Sequence, residues 1–121
     1  MIFGVGIDLV EIVRIKAMND KHNQFSERLL TKKEFELFDR IKTERRRTEF
    51  LAGRWAAKEA FSKALGTGIG SQIHFHDIEI MQTELGQPYV DSVKYAGQIH
   101  ISITHTANYA AAQVVLETFE N

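Results

Sequence analysis

Apolar and small or acidic residues alternate along the first ten residues of the chain. The two faces of this pattern are Val5, Ile7 and Leu9 on one side and Gly4, Gly6 and Asp8 on the other. A period of two residues predicts a β-strand over Ile2–Val10. Glycines inside a strand often mark the close approach of a ligand or of another backbone. We therefore predict a strand with one face cleared of side chains, apart from a single carboxylate.

The following residues have the spacing of helices. Helices are predicted over Glu11–Lys21, Phe25–Leu30, Thr31–Ile41 and Glu49–Leu65. Thr31 and Glu34 have the spacing of a capping box, and Gly66 is a residue type that ends a helix. The very polar segment Lys42–Thr48 is predicted to be an exposed turn.

Strand patterns return in the second half of the chain, after a glycine-rich loop over Gly66–Ser71. Strands are predicted over Ile73–Met81, Tyr89–Val93, Gln98–Thr104 and Tyr109–Leu116. Helices followed by strands, with one N-terminal strand to join the sheet, predict an α+β fold in which an antiparallel sheet packs against the long helix. The 121 residues contain no linker and predict a single domain over 1–121.

Composition excludes several kinds of protein. The chain has no cysteine, which rules out disulfides, thiolate metal sites and a cysteine nucleophile. Its net charge of −1 gives no overall attraction to nucleic acid. The apolar N-terminal segment is far shorter than the ~20 residues of a membrane span and lacks the features of a secretion signal. We therefore expect a cytoplasmic protein that binds neither nucleic acid nor membrane.

The charge is divided unevenly between the two halves of the chain. Residues 1–63 contain 14 basic and 10 acidic residues, whereas residues 64–121 contain one lysine and 6 acidic residues. A basic half suits an anionic ligand or partner. Uneven surface charge without a function explains the same numbers equally well.

The long helix is predicted to bury one side and to present charged residues on the other. Glu59 and Lys63 lie one turn apart on the exposed side, and Arg54, Lys58 and Ser62 form an adjacent stripe. A Glu–Lys pair at this spacing is, by itself, usually a solvated ion pair.

Asp8 changes the interpretation of that pair. A carboxylate in an apolar strand is costly unless it is paired or bound to a metal. Asp8 and Glu59 together could provide the carboxylate oxygens that hold Mg²⁺ against a substrate's phosphates, with Lys63 neutralising phosphate charge. Backbone N–H groups of the loop Gly66–Gly70 could also bind phosphate, although a plain helix cap explains this loop as well.

Four segments of the chain carry a family resemblance. They are GVGIDLVEI at Gly4–Ile12, FLAGRWAAKEAFSKALGTG at Phe50–Gly68, ELGQP at Glu84–Pro88 and ISITH at Ile101–His105. In this order and spacing, they resemble the holo-acyl carrier protein synthase family of 4′-phosphopantetheinyl transferases over essentially the whole chain. The length is similar to that of the short bacterial type, which forms trimers, and implies a homotrimer with sites between adjacent subunits.

The resemblance implies a reaction and a set of site residues. Members of the family transfer 4′-phosphopantetheine from coenzyme A to a serine hydroxyl of apo-acyl carrier protein, for fatty acid biosynthesis, and release adenosine 3′,5′-bisphosphate. By resemblance, Asp8, Glu59 and Lys63 are catalytic, with Mg²⁺ bound by Asp8 and Glu59. Lys63, His105 and Arg54 are implied to contact coenzyme A. The base that takes the serine proton stays open between Glu59 acting through a water and a metal-bound water.

The resemblance also implies a docking surface for the acyl carrier protein, because Arg14 matches a position that contacts it. The predicted docking residues are Arg14, Met18, Lys21, Phe25 and Arg28. Carrier proteins are acidic, so these cations would be complementary in charge; an ordinary amphipathic surface helix is the alternative. For the run Arg45–Arg47, contact with the coenzyme's phosphates, contact with the carrier protein and exposure to solvent alone all stay open.

Two rival functions remain open at this stage. One is a non-catalytic module that binds an acidic partner or a nucleotide. The other is a different Mg²⁺-dependent phosphate enzyme, such as a nucleotide pyrophosphatase, which would consume coenzyme A or nucleotides without any carrier protein.

Overall fold

A computed structural model of the protein describes residues 1–119, so the last two residues of the predicted domain lie outside it. Its elements are β1 (Ile2–Glu11), α1 (Ile12–Lys21), α2 (Phe25–Leu29), α3 (Lys32–Asp39), α4 (Glu44–Leu65), a 3-10 turn (Phe75–Asp77), β2 (Glu79–Gln82), β3 (Pro88–Asp91), β4 (Gln98–His105) and β5 (Tyr109–Glu117). The predicted α+β architecture is confirmed. No helix within residues 1–119 combines the length and the apolar character needed to cross a bilayer.

The strands form two antiparallel sheets. The larger sheet has the order β1–β5–β4, and the smaller one pairs β2 with β3. Asp8 of β1 lies opposite Ala112 of β5, which pairs on its other side with Ile103 of β4. Helix α4 packs across one face of the larger sheet and buries Ala60, Phe61 and other small or apolar residues completely. This packing places the edge strand β1 alongside the second half of α4.

Gly4 and Gly6 let the backbone of β1 lie directly against α4. A Cβ at Gly6 would collide with the main-chain oxygen of Ala60, and one at Gly4 with that of Ala64. The cleared face of the strand is therefore filled by another backbone, one of the two alternatives that the sequence left open. The alanines of α4 supply the matching small surface.

The prediction of an exposed turn over Lys42–Thr48 is wrong, because α4 begins at Glu44. The Thr43 side chain caps the helix by accepting a hydrogen bond from the N–H of Arg46. Arg47 donates to the main-chain oxygens of Phe38 and Ile41, at the end of α3. The basic run is thus the first turn of a helix, and one of its arginines joins α3 to α4.

The predicted strand Ile73–Met81 is only partly correct. The main-chain N–H of His74 donates to the Asp77 carboxylate at 2.8 Å, which closes the 3-10 turn, and the strand starts afterwards at Glu79. Two local predictions are confirmed: Thr31 and Glu34 form a capping box, and Gly66 ends α4 at a φ of 89°.

Candidate active site

Asp8 and Lys63 meet at the edge of the larger sheet, beside Glu59. Lys63 Nζ donates to Asp8 Oδ1 at 3.0 Å and to the main-chain oxygen of Ile7 at 3.1 Å. Glu59 lies one turn before Lys63 on α4, close enough for Asp8 and Lys63 to act on its charge. We call Asp8, Glu59 and Lys63 the carboxylate cluster. The structure therefore brings together the three residues that the sequence predicts to be catalytic.

The cluster has more negative charge than its own cations neutralise. Burial raises the pKa of Glu59, and the negative charge of Asp8 raises it further, against the opposing effects of Lys63 and Arg14. The second carboxylate oxygen of Asp8, Oδ2, is buried and has no hydrogen-bond partner in the described structure. Two carboxylates in this state fit a hard divalent cation such as Mg²⁺.

The metal would need further ligands from elsewhere. Within residues 1–119, no group of three or more His, Asp or Glu side chains is placed to hold a metal ion. Mg²⁺ is usually held by one or two carboxylates, with water and substrate phosphates completing its shell. The cluster therefore suits a cation that binds together with a phosphate-bearing substrate.

The pKa of Glu59 provides a direct test of this geometry in the metal-free protein. We expect Asp8→Asn to lower the pKa of Glu59, because a nearby negative charge is removed, and Arg14→Ala to raise it. In the wild type, Glu59 should lose its charge at a higher pH than an ordinary glutamate, so that affinity for a divalent cation weakens as the pH falls through this raised pKa. NMR titration of the glutamate carboxyl carbons measures the pKa of Glu59 in the wild type and in both variants.

Asp39→Asn is the control for this titration, because it removes an exposed carboxylate at the end of α3. It should leave the pKa of Glu59 unchanged. The same pKa in the wild type and in Asp8→Asn would mean that the two carboxylates do not interact.

The accessible stripe predicted for Arg54, Lys58 and Ser62 is wrong, because all three residues are buried. The other elements surround α4, and burial lowers the pKa of Lys58 while the Glu34 carboxylate opposes this effect. Lys58 Nζ donates to Glu34 Oε1 at 2.7 Å, and neither side chain is exposed. Sequence reasoning missed this pair, because charged residues at helical spacing normally face solvent.

A second polar site lies towards the start of α4, in a cavity of about 220 Å³. Its polar lining includes Arg46, Glu49, Arg54, Gln82, Thr104 and His105, and the motif residues Gly86 and Pro88 complete one wall. His105 Nε2 and Arg46 Nη1 each lie 3.6 Å from Glu49 Oε1. We call this space the arginine cavity. Its two arginines outnumber its single carboxylate, so it suits an anionic group.

The predicted coenzyme contacts are divided between the two sites. Arg54 and His105 line the arginine cavity, whereas Lys63 belongs to the carboxylate cluster. Glu49 and Glu59, one in each site, are ten residues apart on α4, which is about 15 Å along a helix. The guanidinium of Arg54 is also fixed in position by a hydrogen bond, since its Nη2 donates to the Ile80 main-chain oxygen at 3.0 Å.

The glycine-rich loop forms a helix cap and not a phosphate cradle, which decides between the two alternatives that the sequence left open. The N–H groups of Gly66, Thr67 and Gly68 all donate to the main-chain oxygen of Ser62, and that of Gly70 donates to Ile73. These donors are used in closing the helix end. The alternative, a helix cap, is correct.

The predicted docking residues divide into two groups. Arg14, Lys21 and Arg28 are exposed cations, whereas Met18 and Phe25 are half-buried and pack against the core. The ring of Phe25 stacks on that of Trp55, with centroids 5.9 Å apart. Because the charge of Arg14 reaches Glu59, this surface adjoins the carboxylate cluster.

Comparison with known proteins gives concordant matches over nearly the full length. A family model described as the 4′-phosphopantetheinyl transferase superfamily matches residues 4–114. The holo-[acyl-carrier-protein] synthase of Staphylococcus carnosus is 54% identical over 118 residues, which is 97% of this chain and 98% of the relative. The synthase of Bacillus subtilis is 52% identical over the same length, 97% of each chain.

Solved structures give the same result. The holo-(acyl-carrier-protein) synthase of Bacillus anthracis, in complex with CoA (3′,5′-ADP), has a TM-score of 0.91 at 47% identity and covers 98% of both chains. The synthase of Helicobacter pylori, in complex with coenzyme A, has a TM-score of 0.83 at 32% identity, covering 93% of this chain and 99% of the other.

Proposed function

This chain belongs to the 4′-phosphopantetheinyl transferase superfamily, and we propose that it transfers 4′-phosphopantetheine from coenzyme A to a serine hydroxyl of apo-acyl carrier protein, in fatty acid biosynthesis. The observation that carries the proposal is the carboxylate cluster, in which two under-neutralised carboxylates and a lysine lie side by side. Such a group suits a divalent cation that binds together with the diphosphate of coenzyme A. The relatives named holo-[acyl-carrier-protein] synthase support the same reaction.

The transfer forms one bond and breaks another at the same phosphorus. The serine oxygen attacks the phosphorus that bears the pantetheine, and the diphosphate P–O bond breaks to release adenosine 3′,5′-bisphosphate. Reactions of this kind depend on positioning and charge neutralisation. Lys63 neutralises phosphate charge, and Glu59, with its raised pKa, can accept the serine proton through a water.

We propose that Asp8 and Glu59 hold Mg²⁺ for this reaction. When bound there, the cation would neutralise the diphosphate charge and favour departure of the leaving group. The buried, unpartnered Oδ2 of Asp8 supports this assignment.

The release of adenosine 3′,5′-bisphosphate tests the reaction against the pyrophosphatase alternative. Chromatography should detect this product when coenzyme A, Mg²⁺ and apo-acyl carrier protein are all present, and should detect none when the carrier is left out. Equal release without the carrier would identify a hydrolase instead.

We also propose a homotrimer with active sites between adjacent subunits. One face of β1 carries a row of exposed apolar side chains, Phe3, Val5, Ile7 and Leu9, with Ile7 and Leu9 66% and 65% exposed. A contiguous apolar surface of this kind usually marks an interface. A second copy could bring its arginine cavity to the carboxylate cluster of the first, and such head-to-tail contacts close into a ring.

Mixing inactive subunits tests the shared site. We expect Asp8→Asn and His105→Ala each to have little activity alone and to regain part of it when co-expressed, because one kind of interface then combines an intact cluster with an intact cavity. Turnover of the purified mixed assemblies measures this recovery. Co-expressed Asp8→Asn and Glu59→Gln are the control, since both changes lie in the same cluster and no intact site can form. Recovery in neither mixture would contradict a shared site.

Arg14 tests the proposed docking surface. We expect Arg14→Ala to raise the KM for acyl carrier protein about tenfold, the loss of one charge-assisted contact to an acidic partner, with a smaller effect on the KM for coenzyme A. Lys33→Ala, which removes an exposed cation on α3, should change neither constant. Steady-state kinetics with each substrate varied in turn would show the reverse pattern if Arg14 served the coenzyme.

We propose, finally, that residues 1–121 act as one domain in the cytoplasm. Helix α4 contacts β1, β4, β5, α1 and α2, so it connects the sheet with the N-terminal helices. The cytoplasmic location follows from the proposed substrates.

A further inference from the structure

Lys58 is the most deeply buried cation in the described structure, and the proposed reaction leaves it without a role. Its side chain is 0% exposed. Its Nζ donates to the main-chain oxygen of Leu29 at 2.7 Å, to Glu34 Oε1 at 2.7 Å and to the main-chain oxygen of Phe75 at 3.0 Å. An ammonium group has three donors, and here all three are used within the protein.

Glu34, the partner of Lys58, connects several elements. Its Oε1 also accepts from the N–H of Thr31, and its Oε2 accepts from the N–H of Ile80 in β2. Replacing a buried ion pair by apolar residues is often neutral or even stabilising. A contribution to the stability of the fold is therefore a weak explanation for the burial of Lys58 and Glu34. The groups that the pair binds point to another role.

The two main-chain acceptors of Lys58 show what it holds in place. Leu29 is the last residue of α2, a helix of only five residues, and helices this short depend on tertiary contacts. Lys58 supplies one contact by binding a carbonyl at the helix end, where a positive charge is also favourable. His76 supplies a second, because its Nε2 lies 2.7 Å from the main-chain oxygen of Glu27.

Helix α2 carries two of the proposed docking residues, Phe25 and Arg28, and Lys58 is the immediate neighbour of Glu59 on α4. We propose that Lys58 is a positioning residue, which fixes the carrier-docking helix α2 relative to the carboxylate cluster. This inference rests on the proposed function. It assigns Lys58 a role in presenting the carrier serine, distinct from the binding of coenzyme A.

The test compares Lys58→Met with Val114→Ala in the full chain. Lys58→Met keeps an unbranched side chain and removes the three hydrogen bonds. Val114→Ala removes volume from the sheet core, where Val114 is fully buried on β5, and so controls for general destabilisation. Backbone hydrogen exchange and steady-state kinetics are measured for both, at a temperature well below unfolding.

We expect Lys58→Met to speed hydrogen exchange selectively in residues 25–30 and to raise the KM for acyl carrier protein about tenfold, as for loss of one charged hydrogen bond. The KM for coenzyme A should stay within about twofold, since the bond to the Leu29 carbonyl holds α2, and Glu34 keeps its 3.6 Å contact with Arg54 of the coenzyme site. Exchange in α2 equal to that of Val114→Ala, or an equal rise in both KM values, would overturn the inference.

A second variant covers the case in which Lys58→Met does not fold. His76→Ala removes the second of these polar contacts to α2 from an exposed position, and it should change exchange and KM in the same direction. Unchanged exchange in residues 25–30 would then reject the positioning of α2. A wild type that transfers nothing to the carrier would instead refute the proposed function, while the exchange data would still test the link between Lys58 and α2.

Discussion

Asp8→Asn should reduce the transfer rate by about 10³-fold, the upper range for loss of an electrostatic contact at a reacting centre. Asparagine has nearly the same size but lacks the charge, so the proposed cation loses one of its two anionic ligands. Lys63 also loses its 3.0 Å ion pair. The fold should survive, because Asp8 Oδ2 has no partner to lose and Lys63 is half-exposed.

Steady-state kinetics and calorimetric titration with Mg²⁺ measure the two losses together. Asp91→Asn, at an exposed position on β3, is the matched control and should retain the wild-type rate and metal affinity. If Asp8→Asn also kept the wild-type affinity for Mg²⁺ in the presence of coenzyme A, Asp8 would not be a ligand.

Gly6→Ala should destabilise the protein by about 3 kcal/mol, at the high end for overpacking of a core. The added Cβ would meet the main-chain oxygen of Ala60. A backbone atom cannot move away as a side chain does, so β1 and α4 must separate. Because Asp8 and Glu59 lie on these two elements, their alignment should be lost as well.

Gly70→Ala is the control for this change. A Cβ at Gly70 has no neighbour within 4 Å, and the φ of Gly70 is not positive. The melting temperature of Gly70→Ala should therefore match that of the wild type. Thermal unfolding followed by circular dichroism compares the two. A melting temperature for Gly6→Ala equal to that of Gly70→Ala would contradict the close packing of β1 on α4.

Local patterns were sufficient to predict most of the fold. The alternation before Glu11, the capping box at Thr31 and the glycine after Leu65 each depend on neighbouring residues only. The start of α4 was missed because a charged run in the first turn of a helix looks the same in sequence as a solvated loop.

The meeting of Asp8 with Glu59 was predicted, but other contacts between distant residues could not be read from the sequence. Glu34 and Lys58 are 24 positions apart, and neither residue signals that the other will neutralise it in the core. In the sequence, Gly6 indicates the close approach of either a ligand or another backbone, and only the packing of α4 against β1 decides for the backbone.

The three neighbouring arginines have different surroundings that their sequence does not distinguish. Arg46 lines the arginine cavity, whereas Arg47 binds the end of α3. Arg45 is exposed and forms an ion pair with Glu49. Only the direction in which each side chain leaves the helix decides which of these it contacts.

The mass of the intact acyl carrier protein tests the account most directly. After incubation with this enzyme, coenzyme A and Mg²⁺, the apo-carrier should gain ~340 Da, the mass of one phosphopantetheine group, and should gain nothing with Asp8→Asn. An unchanged mass with the wild-type chain, for a carrier that another transferase does modify, would contradict the proposed function.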